Sequence, residues 1–296
     1  MRYLILIAVI IISACRFSPG RNNGDSAGNK YSLPDIPSFI SDQSQRNSYL
    51  SEHFWDKFDF KDTSLVDKPA TERFFAEYVN LVALSAGSSE KSLHNFMLRA
   101  MEQPLSREYY ISLFEKYWGH PNSPYRNEEL YILFLEGLLE LEVCDSFQSD
   151  ILQQKLDKRL KNRVGTAAAN LNLLAYQNGV LSEIELYDVE SQYILLYFYN
   201  PGCEECMRYT YLLAGQLDLF LAENGITVVT VYPDAEIDLW KEHQLPSHWV
   251  KSYDFLQQIN GSELYYLQAI PTLYLLDNQK RVVLKDCTPE QLVGYF

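Results

Sequence analysis

Two cysteines three residues apart, Cys203 and Cys206, are the residues of this 296-residue chain whose type and spacing imply chemistry most directly. They stand in Asn200-Pro201-Gly202-Cys203-Glu204-Glu205-Cys206, where the apolar run Tyr193–Tyr199 gives way to a stretch of helical spacing, Cys206–Glu223. Two cysteines so placed across the first turn of a helix can close a disulfide. The first also faces the free backbone N–H groups and the positive dipole end, which stabilise a thiolate, the reactive form of the group. Cys203 is therefore the expected nucleophile. Cys206 is the expected resolving thiol, attacking the Cys203 sulfur of a mixed disulfide. The same pair also fits an inert structural disulfide or half of a metal site. A zinc site takes four ligands. His243 and His248 are the only histidines downstream and lack paired spacing, so no metal is expected. The Cys203–Cys206 disulfide is then the redox group, and no dissociable cofactor is implied. Nothing else competes: there is no Gly-rich phosphate loop, the carboxylates form no hydrolytic pair in motif context, and the five His have no nucleophile partner.

The surrounding pattern supplies elements to hold such a pair. Tyr193–Tyr199 has strand length and no polar alternation, which suits a strand buried on both faces. Ile226–Tyr232 is a second β-branched strand, and Asn224-Gly225 before it is a helix stop. Ala167–Tyr176 and Ser182–Tyr187 fit short strands or a hairpin around Asn178-Gly179. Asp234–His243 reads as a short helix and Tyr253–Ile259 as another. Thr272–Leu276 and Val282–Leu284 are strands, and Thr288-Pro289 opens a last helix. The expected order is β-α-β-α-β-β-α, a mixed sheet with helices on its faces. The first half differs. Residues 50–163 carry helical spacing, with Phe74, Tyr78, Leu81 and Val82 on one face and Leu130, Phe134 and Leu138 on another. Asn127 is a plausible cap for the helix that begins at Glu128. Short connections make an antiparallel bundle the default. Pro121 and Pro124 punctuate a loop at His120–Arg126; Asn122–Glu128 fits a binding loop or a turn and helix cap, and the turn and cap is favoured. Cys144 and Cys287 read as spare thiols, buried and half-buried respectively, and Trp240 and Trp249 as packing residues.

Strand, Cys-x-x-Cys, helix, strand, and Ile270-Pro271-Thr272 ahead of a further strand is a pattern that resembles the thioredoxin superfamily. The resemblance implies that Pro271 is a cis-proline beside the disulfide and that Ile270 offers backbone hydrogen bonds to substrate. Within that superfamily the chain resembles, almost throughout, lipoproteins of anaerobic gram-negative bacteria in which a helical domain of unknown function precedes a thioredoxin-like half. The matching stretches are Phe54-Trp-Asp-Lys-Phe-Asp-Phe60, Asn122–Tyr131, Tyr232-Pro-Asp234 and Pro271-Thr-Leu-Tyr-Leu-Leu-Asp277. The implied organisation is a signal peptide and lipobox at 1–15, a tether at 16–34, a helical domain at 35–163 and an α/β thioredoxin fold at 164–296. The chain departs from the superfamily at Asn200-Pro-Gly202, where many members carry aromatics and a Trp. It departs again at Glu204-Glu205, where Gly-Pro is usual. Two carboxylates oppose negative charge on the neighbouring sulfur, and a poorer thiolate is a poorer leaving group, so a reducing rather than strongly oxidising protein is expected. The apolar run Tyr193–Tyr199 contains no acid, which leaves the proton acceptor of Cys206 unassigned.

Met1-Arg2 followed by the apolar run Tyr3–Ile12 has signal-peptide proportions and falls short of the about 20 residues of a transmembrane helix. Ile12-Ser13-Ala14-Cys15 resembles a bacterial lipobox, which implies lipidation of Cys15; a plain secretory signal with an incidental Cys is the alternative. Residues 16–34, rich in Gly, Asn and Ser, suit a flexible tether. Export makes disulfide chemistry available. Of the formal charge of −14, residues 180–296 carry −11, from 17 acidic residues against 6 basic. That is unsuited to nucleic acid, whose binding needs Lys and Arg.

The expectation is a lipid-anchored envelope thiol–disulfide oxidoreductase acting on cysteine-containing exported proteins in the reducing or isomerising direction. A membrane electron donor would recycle it. The alternative is a non-catalytic binding or assembly lipoprotein that keeps the fold.

Overall fold

The computed structural model describes residues 30–296 apart from Ala86 and Asn178. The signal-like segment, Cys15 and residues 16–29 of the tether lie outside the described residues.

Six α-helices occupy the first half of the described chain: α1 (Gln43–His53), α2 (Pro69–Ala83), α3 (Ser89–Ala100), α4 (Pro104–Phe114), α5 (Glu128–Glu140) and α6 (Ser146–Leu160). Their starts follow local chemistry. Pro69 and Pro104 sit in the first turn of α2 and α4, where a missing N–H breaks no intrahelical bond. Asn127 accepts from the Leu130 N–H at 3.0 Å to cap α5, and Asp145 with Gln148 forms a reciprocal capping box on α6. One apolar core unites α2 to α6, and α1 is tied to α3 by the Ser92 hydroxyl, which donates to the Ser51 carbonyl at 2.6 Å. The centre of the core is aromatic: Phe54, Trp55, Phe58 and Phe60 are all buried, and the Trp55 ring lies 5.1 Å from Phe58, 5.1 Å from Phe74 and 5.4 Å from Phe96. Such edge and tilted contacts add to area burial. The stretch Phe54–Phe60, read from sequence as part of a family likeness, is therefore the packing hub of the helical domain.

The second half is a seven-stranded mixed sheet with strands β1 (Asn172–Gln177), β2 (Val180–Glu185), β3 (Tyr193–Phe198), β4 (Ile226–Tyr232), β5 (Val250–Tyr253), β6 (Thr272–Asp277) and β7 (Val282–Lys285) in the order β2-β1-β5-β4-β3-β6-β7. β3 pairs parallel with β4 and antiparallel with β6. Side chains alternate across a strand, and both faces of β3 are covered. Leu195 and Tyr197 enter one apolar cluster, Ile194, Leu196 and Phe198 the other. Helices α7 (Glu204–Tyr211), α8 (Asp218–Glu223), α9 (Ile237–Glu242) and α10 (Pro289–Tyr295) complete this half.

Four expectations need correction. Tyr253–Ile259 is not a helix: Tyr253 ends strand β5, and the residues after it turn. Cys206–Glu223 is not one helix but α7, a wide π-type turn at Leu212–Gln216, and α8. Cys287 is buried rather than half-buried, and Cys144 is half-buried rather than buried.

Candidate functional site

β3 ends at Phe198, and the chain turns through Asn200-Pro201-Gly202 into α7, whose N-cap is Cys203 itself. In open α/β sheets the carboxyl ends of the strands are where ligands meet the protein. Asn200 orders the turn with every polar group it has. Its carbonyl accepts from Cys203 N–H at 3.0 Å, its Oδ1 accepts from Gly202 N–H at 2.8 Å, and its Nδ2 donates to Asp234 at 2.7 Å. Asp234 belongs to Tyr232-Pro-Asp234 at the end of β4, so that stretch braces the cysteine turn.

The two thiols differ as the helix geometry requires. Cys203 is partly exposed, and its sulfur accepts from the Cys206 N–H at 3.2 Å, one of the unpaired donors of the first helical turn. Cys206 is fully buried, and its sulfur accepts from the Asn200 N–H at 3.5 Å. Burial, then the hydrogen bond with Cys203, push the Cys206 thiol well up. Burial, then the neighbouring Asp286, push Cys287 up to about 12. An acid whose pKa is raised stays protonated through neutral pH, and a thiol is a poor nucleophile. At pH 8, iodoacetamide should therefore modify Cys203 first, with Cys206 and Cys287 at least about tenfold slower. Peptide mass mapping over time checks this, and equal labelling of the three would contradict it.

Ile270 and Pro271 meet the pair. The Ile270–Pro271 bond is cis, and the Cys203 thiol donates to the Ile270 carbonyl at 3.7 Å. Of the two acids after Cys203, Glu205 is tied to Arg208 by contacts of 3.0, 2.9 and 2.5 Å, and both Glu204 and Glu205 are exposed. Beneath the pair, Tyr197 of β3 donates to the Cys206 carbonyl at 2.5 Å.

The sequence reading missed what surrounds this end of the sheet. The stretch Asn122–Glu128, read as a turn and cap, reaches across from the helical domain, where Arg126 pairs with Asp286 just after β7. Two residues on, Glu128 accepts from Arg159 of its own domain at 2.6 Å and lies 3.2 Å from Lys285 of β7. Lys285 in turn donates to the carbonyls of Arg159 at 2.7 Å and Lys161 at 2.9 Å. The two halves are thus joined by a largely buried ionic network beside Ile270-Pro271. No local signal in the sequence pairs residues 160 positions apart.

Residues 14–162 match a family model described as a domain of unknown function, DUF5106. A crystal structure of a thioredoxin-like protein from Bacteroides caccae is 32% identical and superposes with a TM-score of 0.84, covering 90% of this chain and 98% of that one. The C-terminal domain of an uncharacterized protein from Bacteroides fragilis is 38% identical, with 46% of this chain and 97% of that one covered and a TM-score of 0.42. The thioredoxin domain of a thiol–disulfide oxidoreductase from Bacteroides vulgatus is 22% identical, with 45% and 94% covered and a TM-score of 0.39. No curated protein matches the chain.

Proposed function

The chain belongs to the family of thioredoxin-like proteins that carry a DUF5106 domain ahead of the thioredoxin fold, and we propose that it exchanges thiols for disulfides through Cys203 and Cys206. The observation that carries this is the contrast between the two sulfurs. One is partly exposed and held by a helix N-terminal N–H; the other is buried one turn in, and the exposed thiol sits against the Ile270 carbonyl. An inert disulfide needs no such asymmetry, whereas exchange needs one sulfur within a client's reach and one shielded from it.

In the reducing direction the Cys203 thiolate attacks one sulfur of a client disulfide. A Cys203–client bond forms, and the other client sulfur leaves as a thiolate and takes up a proton. Cys206 then loses its proton and attacks the Cys203 sulfur, closing Cys203–Cys206 and releasing the second client thiol. Two electrons pass from the protein's dithiol to the client's disulfide. A dithiol donor at the membrane would return them. Ile270 and Pro271 form the wall against which the client backbone is held during attack. Glu204 and Glu205 favour reduction or isomerisation by opposing a stable Cys203 thiolate, although Arg208 offsets part of the Glu205 charge. Lipidation at Cys15 would hold this activity at the cell envelope, on cysteine-containing exported proteins.

Cys206→Ala is the test. It should trap Cys203–client mixed disulfides that appear as dithiothreitol-sensitive bands in envelope extracts, while Cys203→Ala traps none. Equal absence from both variants would turn the reading toward a binding protein without turnover.

A further inference from the structure

A cavity of about 180 Å³ opens beside the redox pair, at the joint between the two domains. Its walls come from three places. Ile270, Pro271 and Thr272 supply the floor, Glu205 and Tyr209 of α7 one side, and Arg126 with Asp286 the end. Ile270 is shared: it lines the cavity and accepts from the Cys203 thiol. A client chain lying along Ile270-Pro271 with its cysteine at Cys203 therefore passes the mouth of this cavity. The volume is below the about 300–1,000 Å³ of small-molecule sites and suits a single side chain. A larger cavity of about 490 Å³, lined by Gln192, Ile226 and His248, lies at the opposite end of β3 and β4, away from the cysteines.

The chemistry of the small cavity is acidic. Asp286 uses Oδ2 for Arg126, while its Oδ1 is buried and has no hydrogen-bond partner among the described residues. A buried acceptor without a partner costs free energy that an incoming donor recovers. Glu205, which Arg208 pairs from outside the lining, brings a second carboxylate, and Tyr209 brings an aromatic ring. Arg126 is held in place, with its own charge matched by Asp286 and the adjoining Glu128, Arg159 and Lys285 network fixing the helical domain against the sheet.

We propose, resting on the exchange reading above, that this cavity is a client subsite for a Lys or Arg side chain next to the client's cysteine, and that the DUF5106 domain completes it. The aliphatic stem of such a residue lies along Ile270 and Tyr209. Its cation donates to Asp286 Oδ1 and faces Glu205. A Glu at the same client position meets two carboxylates.

The test uses the full-length protein and a peptide series that differs only in the residue beside the cysteine: Lys, Leu or Glu. One arm measures the single-turnover rate at which the reduced protein exchanges with each peptide presented as its glutathione mixed disulfide. The second measures equilibrium binding of the same peptides with Ser in place of Cys, by fluorescence anisotropy, which needs no exchange. Lys should exceed Glu by about tenfold in both arms, with Leu between, as expected for one charge-assisted hydrogen bond gained. Asp286→Asn keeps an acceptor for Arg126 and a residue type that tolerates the positive φ of 51° at this position; it should bring the Lys/Glu ratio to within about twofold of unity. Exchange with all three peptides at equal rates overturns the subsite and leaves the redox reading standing. Binding that prefers Lys without exchange of any peptide supports the subsite and overturns the redox reading. Neither preference nor exchange overturns both.

Discussion

Cys203→Ser should lower the rate of exchange with a disulfide peptide by about three orders of magnitude or more, at least about 4 kcal/mol of transition-state stabilisation at 1.36 kcal/mol per tenfold. The loss is this large because no other thiol among the described residues can stand in. Cys206 is fully buried and its thiol is held protonated by burial. Cys287 is buried, with its pKa at about 12, and Cys144 belongs to the helical domain. Cys206→Ser should behave differently. The first attack still occurs, because Cys203 and the α7 N-terminus are intact, and the Cys206 backbone N–H still reaches the Cys203 sulfur. The reaction then stops at the mixed disulfide. Stopped-flow measurement of each variant separates the two roles: a burst of one client equivalent without turnover for Cys206→Ser, and no burst for Cys203→Ser. A full burst from Cys203→Ser would place the nucleophile elsewhere.

Glu128→Ala should destabilise the protein by about 3–5 kcal/mol, the range for removing one partner of a buried ion network. Glu128 has 13% of its side chain exposed, and its partners Arg159 and Lys285 have 5% and 2%. Without the carboxylate two buried cations face each other, and Lys285 keeps only the carbonyls of Arg159 and Lys161. Glu128→Gln, which retains an acceptor, should cost less. Because Lys285 is in β7 and Arg159 in α6, the loss falls on the joint between the domains. Urea unfolding followed by far-UV circular dichroism should show the midpoint fall and a single transition separate into two. Lys91→Ala, which breaks a pair between exposed Lys91 and half-buried Glu52, is the control and should shift stability by no more than about 1 kcal/mol. An equally small shift from Glu128→Ala would mean that the domains are held by apolar contact alone.

The sheet and the place of the cysteine pair were legible because they are written in local runs. Tyr193–Tyr199 is apolar throughout since β3 is covered on both faces, and Cys-x-x-Cys stands where that strand meets a helix. Strand β5 was not legible, although Lys251 and Ser252 are buried, because its sequence Val-Lys-Ser-Tyr is half polar. Those groups are satisfied from a distance: Lys251 donates to the carbonyls of Lys241 and His243, and Ser252 to the carbonyl of Thr230. Hydrophobic patterning cannot see a buried lysine whose partners lie 8 and 10 residues away, or a buried serine whose partner lies 22 away. The break at Leu212–Gln216 was hidden for another reason, since a π-type turn keeps helical spacing nearly intact while bending the axis at a stretch that contains Gly215. The loop before α5 was half legible. Asn127 does cap α5, as its type suggested, but the neighbouring Arg126 spends its charge on Asp286, a partner that only the folded chain supplies.

The reduction potential of the Cys203–Cys206 pair, measured against glutathione in full-length protein, separates an exchanging dithiol from a structural disulfide. Working dithiol exchange proteins lie between about −270 mV, where reductants sit, and about −120 mV, where strong oxidants sit. This pair should lie in that span and nearer its reducing end. A disulfide that resists reduction well below about −300 mV would be structural, and would contradict the exchange reading.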